Sequence, residues 1–200
     1  MIDVLRYVDP TFKPVPHLGS QTRAASFINA QGYKVKFLTP NRGASGNLGR
    51  PATMPALGGA GVEPLRFLGF LTYQPALSVL LHKGGVAVSV PTPERFAIHK
   101  LIVAILRRSD ANGYAKASND LAQAGSIIQA MAANRRAEDI GFAWIEAWER
   151  GTGWQSRLSA GARQLAHEAS SDLVRGIKLA ATADGRGIED YGVNPKVQLL

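Results

Sequence analysis

The most constraining feature of this 200-residue chain is the run Val90-Pro91-Thr92-Pro93-Glu94. Thr92 suits a helix N-cap and Pro93 the first helical position, and the Glu94 carboxylate suits the positive end of the helix dipole. The run therefore divides the chain into a β-rich front part and a helical back part. A helix is expected from here to about Arg108, with Ala97, Ile98, Leu101, Ile102 and Ile105 as its buried stripe. Further helices are expected over Lys116 to Ala132, burying Leu121, Ala124 and Ile128, over Ala137 to Glu149, and over Gln155 to Ala183. From Asp184 the glycines at 185, 187 and 192 and Pro195 predict a loose tail.

Before Thr92 the chain is punctuated. Asp9-Pro10, Pro14 and Pro16 make the amino-terminal stretch irregular. Thr22 to Ala30 reads as a short helix, and Tyr33 to Leu38 as a strand with Tyr33, Val35 and Phe37 on one face. Asn41 to Gly61 is rich in glycine and reads as a long loop. Pro64 to Leu71 reads as a helical segment. Ala76 to Leu81 and Val86 to Val90 read as two strands of a hairpin closed by His82-Lys83-Gly84-Gly85. The expected fold class is α+β. A small mixed β-sheet from Tyr33–Leu38, Ala76–Leu81 and Val86–Val90 is followed by a helical region, with boundaries at residues 1–91, 92–183 and 184–200.

Composition narrows the chemistry. The chain has no cysteine, which excludes disulfide scaffolds, thiolate metal sites and cysteine nucleophiles. Lys and Arg number 23 against 15 Asp and Glu, a net charge of +8 that favours polyanions such as nucleotides or RNA. No apolar run approaches the roughly 20 residues of a membrane span, and Met1 to Arg6 does not read as a signal peptide, so a cytoplasmic protein without membrane partners is expected. No Asp-x-Asp pair is present. The four histidines, at 17, 82, 99 and 167, have no metal-ligand spacing. Neither Asn47-Leu48-Gly49 nor Gly58-Gly59-Ala60-Gly61 is followed by the Lys-Ser/Thr of a P-loop, and Gly43-Ala44-Ser45-Gly46 has the wrong spacing for a hydrolase elbow.

The cations at helical spacing carry more. Lys100 and Arg107 are seven residues apart, so two helical turns bring them nearly into line beside the buried stripe. Lys116, Asp120 and Gln123 share a face of the next helix, and Lys116 can pair with Asp120. His99 reads as a surface or packing residue rather than a catalytic one. Trp144 and Trp148, four apart, read as core stacked along one helix face.

Four segments together resemble a known family. They are Val35-Lys36-Phe37-Leu38-Thr39-Pro40, Glu63-Pro64-Leu65-Arg66-Phe67-Leu68, Val90-Pro91-Thr92-Pro93-Glu94-Arg95-Phe96-Ala97-Ile98-His99-Lys100-Leu101, and Lys116 with Asn119-Asp120-Leu121-Ala122-Gln123-Ala124. Their order resembles that of a bacterial nucleotidyltransferase-fold family in the DNA polymerase β superfamily, over roughly residues 1 to 160. The resemblance implies transfer of a nucleotidyl group from a nucleoside triphosphate, with two Mg²⁺ ions held by three carboxylates. It places the Asp-x-Asp segment before Met1, so a truncated nucleotidyltransferase fold is expected. It places the third carboxylate within Val35–Leu38, where this chain carries Lys36, and a lysine cannot ligate Mg²⁺. No catalytic or metal-ligating residue is therefore assigned. Lys100, Lys116 and Arg107 are assigned to nucleotide binding, the two lysines by their place in the family's pattern.

Three readings follow. In the first, the chain is a degenerate or truncated nucleotidyltransferase-fold protein without autonomous catalysis. In the second, it is a basic RNA- or protein-binding module, motivated by Arg107-Arg108 and Arg135-Arg136. In the third, it is an antitoxin-like or regulatory partner that keeps the fold for interaction. Its open sheet edge is expected to be covered by the amino-terminal segment or by a second copy in a homo-oligomer, and a complementing upstream fragment would complete the site.

Overall fold

A computed structural model describes residues 2–16, 24–41, 52–107 and 109–193. The protein is α+β, and its chain separates into two compact units, residues 1–69 and 70–200.

The first unit opens with helix α1 (Ile2–Val8) and then builds two small sheets. Strands β1 (Lys13–Pro14), β2 (Ser26–Ile28) and β3 (Lys34–Lys36) form an antiparallel sheet in that order, with Phe27 opposite Val35. The helix expected over Thr22 to Ala30 is therefore a strand where it is described. Asn29 decides this. Its Oδ1 accepts from the Gln31 and Tyr33 amides at 3.1 and 2.7 Å, closing a turn that brings the chain back on itself. Alternation then sends Ala25 and Phe27 into the core, where Phe27 meets the Phe37 ring edge-on at 5.8 Å.

The single strand expected over Tyr33–Leu38 is two. Phe37 donates its amide to Ala25 and accepts from Glu63, so the chain passes at that residue from one sheet to the other. Strand β4 (Leu38–Pro40) runs parallel to β6 (Ala60–Leu65), and β6 pairs antiparallel with β5 (Ala52–Met54). The described part of the expected 41–61 loop thus holds strands. Pro64 and Leu65 lie in β6 rather than in a helix, and only α2 (Leu68–Leu71), at the junction of the units, is helical.

In the second unit β7 (Ala76–Leu80) and β8 (Val86–Val90) form the expected hairpin, in register from Ala76–Val90 to Leu80–Val86. Among the described residues it pairs only with itself, not with the Tyr33–Leu38 segment as expected. Helices α3 (Pro93–Ile105), α4 (Ala111–Ala133), α5 (Ala137–Trp148), α6 (Thr152–Ala162) and α7 (His167–Ala183) follow. The expected helix over Gln155 to Ala183 is broken between α6 and α7, where the Gln164 and Leu165 amides turn back to Gly161 and Ala162. Ile98, Leu101, Ile102, Ile128, Ile140, Trp144, Leu158, Leu173 and Ile177 are fully buried and form the core of this unit. Leu121 and Ile105, expected in the stripes, are half-buried.

Two close approaches set the geometry. α5 crosses α7 at Gly141 and Gly176. A Cβ on Gly141 would strike the Gly176 carbonyl, and one on Gly176 the Ala137 carbonyl. The segment expected to be a loose tail is instead packed through residue 193. Tyr191 and Val193 are 1% exposed, and Trp144 Nε1 donates to the Tyr191 carbonyl at 3.1 Å. Gly192 has φ 74°, and a Cβ there would meet the Trp148 ring, which stacks on Trp144 at 5.8 Å. None of the described helices is long and apolar enough to cross a membrane.

Replacing Gly176 with alanine drives a methyl into backbone that has no rotamer with which to yield. The expected cost is about 2–3 kcal/mol, read as a lowered urea midpoint at unchanged slope.

Candidate functional site

Helix α3 is amphipathic, and its buried residues Ala97, Ile98, Leu101, Ile102 and Ala104 fix its rotation against the core. That rotation sets Lys100 and Arg107 on one flank. Facing them on α4 is Asp120, 3% exposed, on the line that also buries Ala124 and Ile128. Lys100 Nζ lies 2.6 Å from Asp120 Oδ1, and Arg107 contacts Oδ2 through Nη2 at 2.6 Å and donates from Nε at 2.8 Å. Lys100 also stands 5.0 Å over the Phe96 ring. A buried carboxylate needs compensation, and here two cations provide it.

The cluster therefore holds two positive charges and one negative, a net +1. Burial, and after it the neighbouring Lys100 and Arg107 cations, hold the His99 imidazole down to about 4, against an opposing pull from Asp120. His99 is a neutral packing residue at physiological pH, one of the two readings its sequence context leaves open.

Of the three residues assigned to nucleotide binding, the structure brings two together. Lys100 and Arg107 share Asp120, with side chains 18% and 34% exposed. Lys116 is exposed and outside the cluster. The Lys116–Asp120 helical pair does not form, because both oxygens of Asp120 are taken from α3. Of the two Arg pairs, Arg108 lies outside the described residues, and Arg136 is committed to Asp139 at 2.7 Å. Sequence reading names Asp120 only as a helical partner of Lys116 and does not find it as the hub. The signal was present, since an acid at 120 falls on the same helical line as Ala124 and Ile128 and must be compensated from a neighbour.

A second polar centre was also missed. Arg95, 9% exposed, is clasped by Glu146, donates to the Phe70 carbonyl at 3.1 Å, and lies 4.8 Å from the Phe70 and Tyr73 rings. Glu146 also accepts from Arg150 at 2.7 Å. The hydrogen bonds from the two guanidinium groups hold its carboxyl below the ordinary range, against the opposing effect of burial.

Among the described residues no three His, Asp or Glu side chains converge on a common point. Asp120 is saturated by cations, and Lys36, at the place where the resemblance puts a metal ligand, pairs with Glu63 at 3.0 Å.

Asp120→Asn leaves two cations facing an uncharged amide. The expected loss is about 3 kcal/mol of unfolding free energy, whereas Lys116→Ala changes it by less than about 0.5 kcal/mol. His99 supplies a pH test. Its folded value lies below its unfolded value of 6.5, so its stabilising contribution is present above pH 6.5 and is lost as pH falls toward 4. The loss amounts to at most about 3 kcal/mol. His99→Gln should flatten that part of a stability–pH curve from thermal or urea unfolding.

The comparisons with known proteins bear on the same stretch of chain. A family model described as Nucleotidyltransferase matches residues 1–149, which include both sheets, the hairpin and the α3–α4 cluster. No curated protein and no solved structure matches the chain. With three-quarters of its length covered by that model, the chain belongs to a nucleotidyltransferase family.

Proposed function

We propose that this member of the family binds a nucleoside triphosphate at the α3–α4 flank and does not by itself transfer the nucleotidyl group. One observation carries the reading. Two cations of α3 converge on a single carboxylate, so the cluster retains a net positive charge against a dry helix pair. Arg107, a third exposed, has guanidinium donors to offer a phosphate. Lys100, more deeply set, holds the local potential positive and keeps Arg107 in place through Asp120. Lys116, exposed on α4, adds a mobile charge for the outer phosphates.

The donor set supports the proposed lack of turnover. The described residues supply no carboxylate trio for a divalent ion, and Lys36 puts an ammonium where the family pattern calls for an acid. No step through Mg²⁺ is therefore assigned to these residues.

Calorimetry with ATP, GTP, CTP and UTP, with and without Mg²⁺, tests both halves. Binding that survives removal of Mg²⁺, weakens with added salt, and falls roughly tenfold in Arg107→Gln is the expected result. Lys116→Gln should lower affinity by a smaller factor. Absence of binding to all four nucleotides overturns the reading. It would shift attention to RNA, which the net charge of +8 favours as the second partner. Release of pyrophosphate by the unaltered chain with Mg²⁺ would overturn the claim that it does not turn over.

A further inference from the structure

A second polar cleft lies within the helical unit and shares no residue with the α3–α4 cluster. It has a volume of about 290 Å³, at the small end for a ligand site. Its walls come from Gln74, the start of α3 at Thr92 and Glu94, and the face of α5 that carries Phe142 and Glu146.

The charges around it sum to zero but are unevenly paired, and the uneven pairing is informative. Glu146 accepts from Arg95 at 3.2 Å and from Arg150 at 2.7 Å. Arg136 donates to Asp139 at 2.7 Å. Glu94 is left. Its nearest cation is Arg136 Nη2 at 3.9 Å, beyond hydrogen-bonding distance. Glu94 Oε2 is buried and accepts no hydrogen bond, and the same is true of the Thr92 hydroxyl oxygen. Thr92 occupies the N-cap position of α3, yet its side chain makes no capping bond. Two buried oxygens, one of them anionic, thus line one cleft with no donor supplied by the protein. Buried acceptors of this kind are rare and call for a partner with N–H groups. The Phe142 ring, 46% exposed, lies at the same cleft and adds a face attractive to cations.

We propose that this cleft binds a small organic cation bearing several N–H donors, a primary ammonium or a guanidinium, with Glu94 as its counter-ion and Thr92 as a second acceptor. The chain as a whole carries +8 and repels cations, so saturable binding of one reports the local site and not the general field.

The test is an amide chemical-shift titration of the ¹⁵N-labelled protein with propylammonium chloride and with propylguanidinium chloride. Tetramethylammonium chloride, equal in charge but without N–H groups, is the control at matched ionic strength. Saturable shifts centred on Glu94, Arg95, Phe142 and Ala143 with either N–H cation, and none with tetramethylammonium, are expected. Glu94→Gln should weaken binding at least tenfold and leave nucleotide affinity unchanged. Should that variant fail to fold, Thr92→Val is expected to weaken binding severalfold. Shifts that do not saturate, equal shifts with tetramethylammonium, or unweakened binding in whichever variant folds would overturn the proposal.

Discussion

The Asp120 carboxylate is the constraint on which the helical unit turns. An acid 3% exposed cannot remain ionised in such a place without compensation, and its compensation comes from a different helix. Asp120 therefore specifies more than it stabilises. It sets the register of α4 against α3, because only one rotation and one slide bring Lys100 and Arg107 to its two oxygens together. A hydrophobic pair of equal volume would hold the helices as firmly and discriminate less between neighbouring registers. The same contact keeps two cations at the surface of a dry helix pair, which is what gives this flank its charge.

Around that register the other contacts are largely apolar and close. Gly141 and Gly176 let α5 and α7 meet backbone to backbone, and further along α5 Trp144 and Trp148 pack against the segment through Val193. Arg95 does for α3 and α5 what Asp120 does for α3 and α4, with the signs reversed. Its guanidinium is buried against Phe70 and answered by Glu146. The helical unit is thus indexed at two points by charge and filled between them by aliphatic and aromatic side chains. The first unit is built differently, from short strands that exchange partners at Phe37.

Much of the back half is legible in the residues. Thr92-Pro93-Glu94 marks the start of α3 to the residue, and the 3.6-residue period locates α4 and α5. Lys100 and Arg107 are placed on one line by the same period, and the structure joins them. The front half is less legible because its strands are two to six residues long. Over Thr22–Ala30 the apolar residues are compatible with either period, and the Asn29 turn, a local side-chain effect, decides for a strand. Through residue 193 the glycines of the expected loose tail misled, while 194–200 lie outside the described residues. Gly192 is there because Trp148 leaves no room for a Cβ, which is a packing fact and not a sign of mobility.

By itself the sequence determined the helices of the back half and the hairpin before them, the absence of thiol chemistry, the surplus of positive charge and the family pattern that the Nucleotidyltransferase model matches over residues 1–149. These follow from residue identity and short-range periodicity, which act within a few turns of chain. Tertiary structure alone decided who meets whom. Asp120 was within reach of Lys116 along its own helix, yet it is held by α3, because burial makes the compensation of its charge worth more than an exposed helical pair. The hairpin was expected to join a larger sheet and instead pairs with itself, since a strand's alternation names its faces and not its neighbour. Glu94 looks like an ordinary first-turn acid in the sequence. Only the fold reveals that its Oε2 is buried without a donor at the wall of a cleft.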